Sequence, residues 1–251
     1  MDIKAPKKIL RIEDLALANN FFDREESENI GDVDVCSYEC DFPKLQESLC
    51  FPPDVYVGQT LIRSPYDKTV YWDIENYEEN VARQKASLLL QIAQLLGVKE
   101  YEYTSSLESM QERSSEFNAD GTYKVVSVKA SVKKQEEERI AGTYSDHDIF
   151  PNPPERPSQE EYKEAIKIAK EAGLYGEPDV KSLLELCNPA KRNRLGPRKV
   201  KISASTEATK ALDMAFGLTA MEGILKLNAG FKSSTKYIKS IQMTFTFKFP
   251  F

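Results

Sequence analysis

Strict alternation of apolar and polar residues near the C-terminus is the feature that most constrains the fold of this chain. The stretch SIQMTFTFKFPF runs from Ser240 to Phe251. Because successive side chains of a strand point to opposite faces, it predicts a strand with one polar and one apolar face. The apolar positions are Ile241, Met243, Phe245, Phe247 and Phe249. We expect this face to cover the core and to pack on a helix around Leu212 and Phe216.

A second alternating stretch lies in the middle of the chain. The segment YEYTSSLESMQERSSEF is followed by NADG and then by TYKVVSVKASVKKQ. Asn, Asp and Gly favour a tight turn between two strands, so the segment predicts a long antiparallel hairpin closed at Asp120-Gly121. In the return strand one face is apolar, with Val126, Val128, Ala130 and Val132.

Two helices have clear end signals. Asp73 can cap a helix with an apolar stripe at helical spacing, and Gly97 can end it, so a helix is predicted from about Ile74 to Leu96. Ser158 and Glu161 form a capping box for QEEYKEAIKIAKEAG, which ends at Gly173. EPDVKSLLELCNP predicts one more short helix.

These elements predict an α+β fold, an antiparallel sheet with long hairpins covered by helices. The order of elements favours two β-α-β-β units, 54–142 and 197–251, which share one core. The first begins with a strand from Val55 to Ile62, and the second ends in a hairpin that turns near Ser233 to Lys236. A Pro-rich linker and helical insertion, 143–196, joins the units, and 1–53 is predicted as an irregular arm with a short helix in ILRIEDLALANNFF.

Composition limits the classes of protein to which this chain could belong. The chain has 251 residues, of which 41% are hydrophobic and 29% charged, the balance of a soluble globular protein. No run of about 18 apolar residues and no secretory signal is evident, so we expect a cytoplasmic protein without a transmembrane helix. The net charge of -6 argues against nucleic acid as a partner.

The sequence predicts no catalytic residue, no cofactor and no metal ligand. The spacing of Cys36, Cys40 and Cys50 matches none of the usual zinc motifs, although whether these three bind metal stays open. His147 is the one histidine, between Asp146 and Asp148. A metal ligand or general base is one interpretation, but neighbouring side chains of a strand diverge, so a solvated loop is favoured.

Charged and aromatic residues supply the candidates for interaction. Residues Lys191 to Lys199 form the one basic cluster. Its members could hold phosphates, although a solvated loop is the simpler interpretation because no aromatic residues interleave the charges. The full set of interaction candidates is Lys129, Lys133, Lys191, Arg192, Arg194, Arg198, Tyr66 and Trp72.

The long hairpins are the predicted elements that indicate most about function. Their exposed edges favour a non-enzymatic interaction or structural assembly protein, which acts through β-edge and surface contacts with itself or with a protein partner. A homo-oligomer is therefore expected. The alternative is a pore-forming effector that inserts amphipathic hairpins, the one case in which a membrane is a partner. An enzyme of unknown class is the third possibility.

Overall fold

The structure is a computed structural model, and it describes residues 8–22, 33–117, 123–130, 146–151, 153–191, 193, 195–203 and 235–250. The fold is of the α+β class, as the sequence predicts. The strands are β1 (Ile9–Glu13), β2 (Val33–Ser37), β3 (Thr60–Arg63), β4 (Tyr71–Asp73), β5 (Glu100–Phe117), β6 (Tyr123–Ala130), β7 (Asp146–Ile149), β8 (Arg198–Ser203) and β9 (Thr235–Lys248). The α-helices are α1 (Leu15–Phe22), α2 (Phe42–Gln46), α3 (Tyr77–Leu95), α4 (Gln159–Glu171) and α5 (Pro178–Leu186).

The described residues divide by their contacts into two compact units, 8–80 and 81–203 together with 235–250. The first contains a sheet in the order β2-β1-β3-β4, and the second contains β6-β5-β9-β8, with β7 also paired to β5. The strands predicted for 54–142 therefore occupy two sheets, since β3 joins the first and β5 joins the second. The predicted boundaries at 53, 142 and 196 stay a prediction.

The segment predicted as a helix at the start of the chain is a strand for its first five residues. β1 runs parallel to β2 and antiparallel to β3. Ile9, Leu10 and Ile12 are all buried, as expected of a central strand covered on both faces. The apolar spacing at Ile9 and Ile12 fits a helix equally well, and for that reason the prediction was wrong here. The helix begins only at Leu15.

The strand predicted from Val55 begins at Thr60. Gly58 has φ +93°, a left-handed conformation that interrupts an extended chain. Its amide donates to the carbonyl of Ile12 at 2.7 Å, and the Ile12 amide donates to the Gln59 carbonyl at 2.9 Å. The residues before Thr60 therefore form a turn at the end of β1.

The helical predictions agree with the structure. Asp73 accepts a hydrogen bond from the Glu75 amide at the start of a 3-10 turn that leads into α3, and Gly97 has φ +80° just after its end. Ser158 and Glu161 form the predicted capping box of α4, and Gly173 follows with φ +68°. The helix predicted in EPDVKSLLELCNP is α5.

The hairpin predicted in the middle of the chain is the pair β5 and β6, whose register runs from Phe117 opposite Tyr123 to Met110 opposite Ala130. Its closing turn at Asp120-Gly121 lies outside the described residues. On the other side of β5, β9 pairs over nearly its whole length, with one register shift between Leu107 and Ser109.

The polar-apolar alternation of β9 has the predicted consequence. Ile241, Met243, Phe245, Phe247 and Phe249 are all buried. Their neighbours in the same register, Tyr101, Leu107, Val200 and Ile202, are buried too, whereas Glu102, Thr104 and Ser106 are exposed. Leu212 and Phe216, the predicted packing partners, lie outside the described residues. Thr235 and Lys236 belong to β9, so the turn predicted near Ser233 to Lys236 does not include them.

Candidate functional site: the backbone edges of the second sheet

β7 is an edge strand whose outward backbone amides are bound by its own side chains. The Phe150 amide donates to the Lys99 carbonyl, so the alternation of an antiparallel pair directs the amides of His147 and Ile149 away from β5. The His147 amide donates to Asp146 Oδ1 at 2.9 Å, and the Ile149 amide donates to Asp148 Oδ1 at 2.7 Å. Two donors that could pair with another strand are therefore occupied.

The side chains of Asp146 and His147 contact different residues, because this segment is a strand and not the loop that the sequence favoured. The Tyr101 hydroxyl donates to Asp146 Oδ2 at 3.0 Å, and burial together with this hydrogen bond raises the pKa of Tyr101 to about 12. His147 Nε2 lies 3.1 Å from Glu100 Oε1, which also accepts from Lys248 Nζ. The hydrogen bond from Lys248, and then that from His147, lowers the pKa of Glu100. His147 thus belongs to a surface hydrogen-bonded group with Glu100 and Lys248.

The opposite edge, β8, is covered by side chains that come from helical segments. The Lys201 amide donates to Asp179 Oδ2 at 2.9 Å, in the first turn of α5. Ser203 shares the orientation of Lys201, and its carbonyl accepts from Lys85 Nζ of α3 at 2.6 Å. Lys85 is 1% exposed and also lies 3.0 Å from Glu177 Oε1. Outward backbone groups of β8 are therefore bound as well.

β6 is a third edge of the second sheet, on the same side of β5 as β7. It pairs with β5 along all eight of its residues. Among the residues that the structure describes, no strand lies on its other side. Its sequence, YKVVSVKA, includes three valines, which favour strands. The outer edge of β6 is therefore the candidate interaction site in this sheet.

The predicted basic cluster is only partly described. Lys191 and Arg198 line a shallow, open groove at the C-terminal end of α5, together with Ser182, Glu185, Leu186 and Asn193. Asn193 Nδ2 donates to the carbonyls of Glu185 and Leu186, so it caps the helix. Cations near a helix C-terminus are favourable, which accounts for this group without a ligand.

The remaining interaction candidates lie elsewhere in the sequence or outside the described residues. Arg192, Arg194 and Lys133 lie outside the described residues, and Lys129 is a residue of β6. Tyr66 and Trp72 belong to the other unit, 8–80, where both are half-buried.

The cysteines are free thiols in two environments. Cys36 and Cys187 are buried, and burial raises the pKa of each to about 12, so neither is a thiolate near neutral pH. Cys40 and Cys50 are exposed. Within the described part of the chain, no three His, Cys, Asp or Glu side chains lie close enough to hold a metal ion. Nor does any helix described there have the length and apolarity needed to cross a membrane.

The residues that cover the edges were not predicted from the sequence. Asp146 and Asp148 were considered in the sequence only as neighbours of His147. Their alternation in a strand was the pattern that could have indicated an edge-covering role. Asp179 and Lys85 lie far from β8 in sequence, and no local pattern connects them to it. Comparisons with protein-family models, with curated proteins and with solved structures find no match to this chain.

Proposed function

We propose that this chain is a non-enzymatic assembly protein that pairs with a second copy of itself through the outer edge of β6. The observation that supports the proposal is the length and edge position of β6, all eight residues of which pair with β5. Side chains bind outward backbone groups of β7 and β8. β6 presents eight residues with a strand partner on one side in the described chain. Unpaired strand edges are templates for another strand.

A second copy is the partner that this edge fits best. When two β6 strands related by a two-fold axis pair antiparallel, one contact gives hydrogen-bond partners to the edges of both chains. The assembly then ends at a dimer. The contact joins the second sheets of two chains into one continuous sheet. No refolding is needed, since each strand already has the extended conformation that pairing requires.

Pairs of valines across the two-fold axis favour one register. With the two-fold axis at Ser127, Val126 lies opposite Val128 of the second copy, and Lys124 lies opposite Ala130. A shift of the axis by one residue, to Val126 or to Val128, would leave one valine pair across the axis instead of two. Valine side chains that face each other across strands pack well on a pleated surface. We therefore assign the axis to Ser127.

Light scattering over a range of protein concentrations tests the proposal. The expected mass is twice that of the chain at high concentration, falling on dilution. A monomer at every concentration would contradict it. A dye-release assay with neutral and anionic liposomes separates assembly from the alternative of a pore-forming effector: assembly predicts no release at any lipid composition, and release contradicts the proposal.

Proline substitutions locate the contact. Val126 and Ser127 are adjacent, so one of their amides points outward, and proline there removes a donor from the outer edge without breaking the hairpin. We expect one of Val126→Pro and Ser127→Pro to be a folded monomer by circular dichroism and light scattering. Ile149→Pro is the matched control, because its amide is already bound by Asp148; the dimer should persist. Dimers in both β6 variants would place the contact elsewhere.

A further inference from the structure

The unit 8–80 has an exposed apolar surface at one end of its sheet. Seven large hydrophobic residues are exposed in the described chain, and five of them belong to this unit. They are Leu15, Leu17, Tyr38, Tyr56 and Val57, and Tyr56 is the most exposed at 59%. Single exposed apolar residues need no explanation, but a group of them commonly marks a binding surface.

Backbone hydrogen bonds bring the three segments that contain these residues to the C-terminal end of β1. The Gly58 amide donates to the Ile12 carbonyl at 2.7 Å, which fixes the turn that contains Tyr56 and Val57. The Tyr38 amide donates to the Glu13 carbonyl at 2.8 Å. Leu15 and Leu17 follow Glu13 directly in the first turn of α1. We refer to these five residues as the apolar end surface.

The apolar end surface is supported from beneath. The Tyr38 ring stacks on Phe42 with 5.8 Å between centroids, and Phe42 contacts Phe51 at 5.0 Å. Phe42 is buried in the core of the unit. The Tyr56 amide donates to Gln59 Oε1 at 3.1 Å, which holds the turn in place. A surface of aromatic residues held in position loses little conformational entropy when a partner binds.

Acidic residues occur in the three segments that form this surface. Asp14, Glu39, Asp41 and Asp54 occur in the same three segments, and Lys44 lies 3.8 Å from Asp41. The Arg11 side chain lies inside the unit, where its Nε is 2.8 Å from Glu13 Oε1. These segments therefore carry more carboxylates than cations, and we refer to the four carboxylates as the acidic rim. Two such surfaces would repel each other, which argues against a second copy as the occupant.

We propose that the apolar end surface binds a basic segment of a partner protein, one whose Lys or Arg residues meet the acidic rim while leucine or aromatic side chains contact Tyr38, Tyr56 and Val57. Aromatic residues at the centre of a patch with a charged rim are the usual arrangement of a protein-protein interface. The residues of this surface belong to the unit 8–80 and β6 belongs to the other unit, so the substitutions that test one proposal leave the residues of the other unchanged.

A randomised peptide library displayed on phage, selected against the purified full-length chain, tests this proposal. We expect the selected peptides to be enriched in Lys or Arg together with Leu, Phe or Trp, and their affinity to fall as salt is raised. Selection of acidic peptides, or of none, would contradict the proposal.

Substitutions then locate the bound peptide. Tyr56→Asp and, in a second variant, Val57→Ser should each weaken binding of a selected synthetic peptide by about tenfold or more. Tyr175→Asp is the matched control, since Tyr175 is also an exposed tyrosine but lies in the other unit. Thermal melting confirms that each variant is folded. Equal affinities in the two unit 8–80 variants and the control would overturn the assignment of the surface.

Discussion

The backbone amide of Lys201 donates a hydrogen bond of 2.9 Å to the carboxylate of Asp179. The two residues are on different elements, since Asp179 lies in the first turn of α5 and Lys201 lies on the outer edge of β8. A carboxylate in that turn also interacts favourably with the helix dipole. One side chain thus both supports the start of a helix and covers the edge of a sheet.

Replacement of Asp179 tests this double role. Asp179→Ala should lower the free energy of unfolding by about 1 kcal/mol, because the Lys201 amide loses its acceptor. It should also open the β8 edge, so that species larger than a dimer appear in light scattering. Asp179→Asn keeps an acceptor oxygen and should remain close to the unsubstituted protein in size. Identical behaviour of the two variants would contradict the covering role.

Lys85 and Lys167 allow a comparison of a buried and an exposed ion pair. Each ammonium lies about one hydrogen-bond length from a glutamate, but the Lys85 side chain is 2% exposed and that of Lys167 is 59% exposed. Lys85→Met should lower the free energy of unfolding by about 2 kcal/mol, because the Ser203 carbonyl loses a charged donor. Lys167→Met should change it by less than about 0.5 kcal/mol. Urea unfolding measures both; similar losses would refute the edge-covering role of Lys85.

Gly97 and Gly173 have similar left-handed backbones but different surroundings. A Cβ at Gly97 would lie 2.8 Å from the Pro154 carbonyl oxygen, whereas one at Gly173 would meet no atom within 4 Å. Gly173→Ala should destabilise the protein by about 1 kcal/mol, the cost of the left-handed conformation alone. Gly97→Ala should cost at least about twice as much because the backbone must also shift. Equal melting temperatures would show that the approach of Pro154 is unimportant.

Phe245 is the centre of the buried face of β9. It is 0% exposed, and its ring lies 5.0 Å from Tyr103 and 5.8 Å from Phe247 between centroids. Phe245→Asp should lower the free energy of unfolding by several kcal/mol, the order expected for an unpaired buried charge. Phe245→Leu should cost about 1 kcal/mol and still fold. Thr244→Asp, on the other face, should have a small effect on thermal melting.

The opposite result for Phe245 would change the interpretation of this strand. If Phe245→Asp keeps the melting temperature but abolishes self-association, the face of β9 is a contact surface rather than part of the core.

Local sequence patterns predicted the elements of the second sheet well. Strict alternation in β9 and turn residues after β5 depend on neighbours in sequence, and so does the capping box at Ser158. β1 shows where this fails, because the spacing of Ile9 and Ile12 fits both a helix and a strand that is buried on both faces. Only the observed burial of both faces distinguishes the two.

The side chains that cover the strand edges could not be predicted from the sequence, and the reason is different. Asp179 and Lys85 reach β8 from distant parts of the chain, and such pairings depend on how helices are placed by the whole fold. The choice of β6 as the candidate edge follows only when the neighbours of each strand are known.

A charge-exchange experiment on β6 tests the central proposal most directly. With the two-fold axis at Ser127, residue 126 of one copy lies opposite residue 128 of the other. Val126→Lys with Val128→Lys places two lysines opposite each other at both 126–128 pairs, and Val126→Glu with Val128→Glu does the same with two glutamates. Light scattering should therefore find each variant monomeric. An equimolar mixture of the two should form a heterodimer, and Val126→Lys with Val128→Glu should form a homodimer. The same dimer mass in all of these variants would contradict pairing through β6, as would a monomer in the unsubstituted protein.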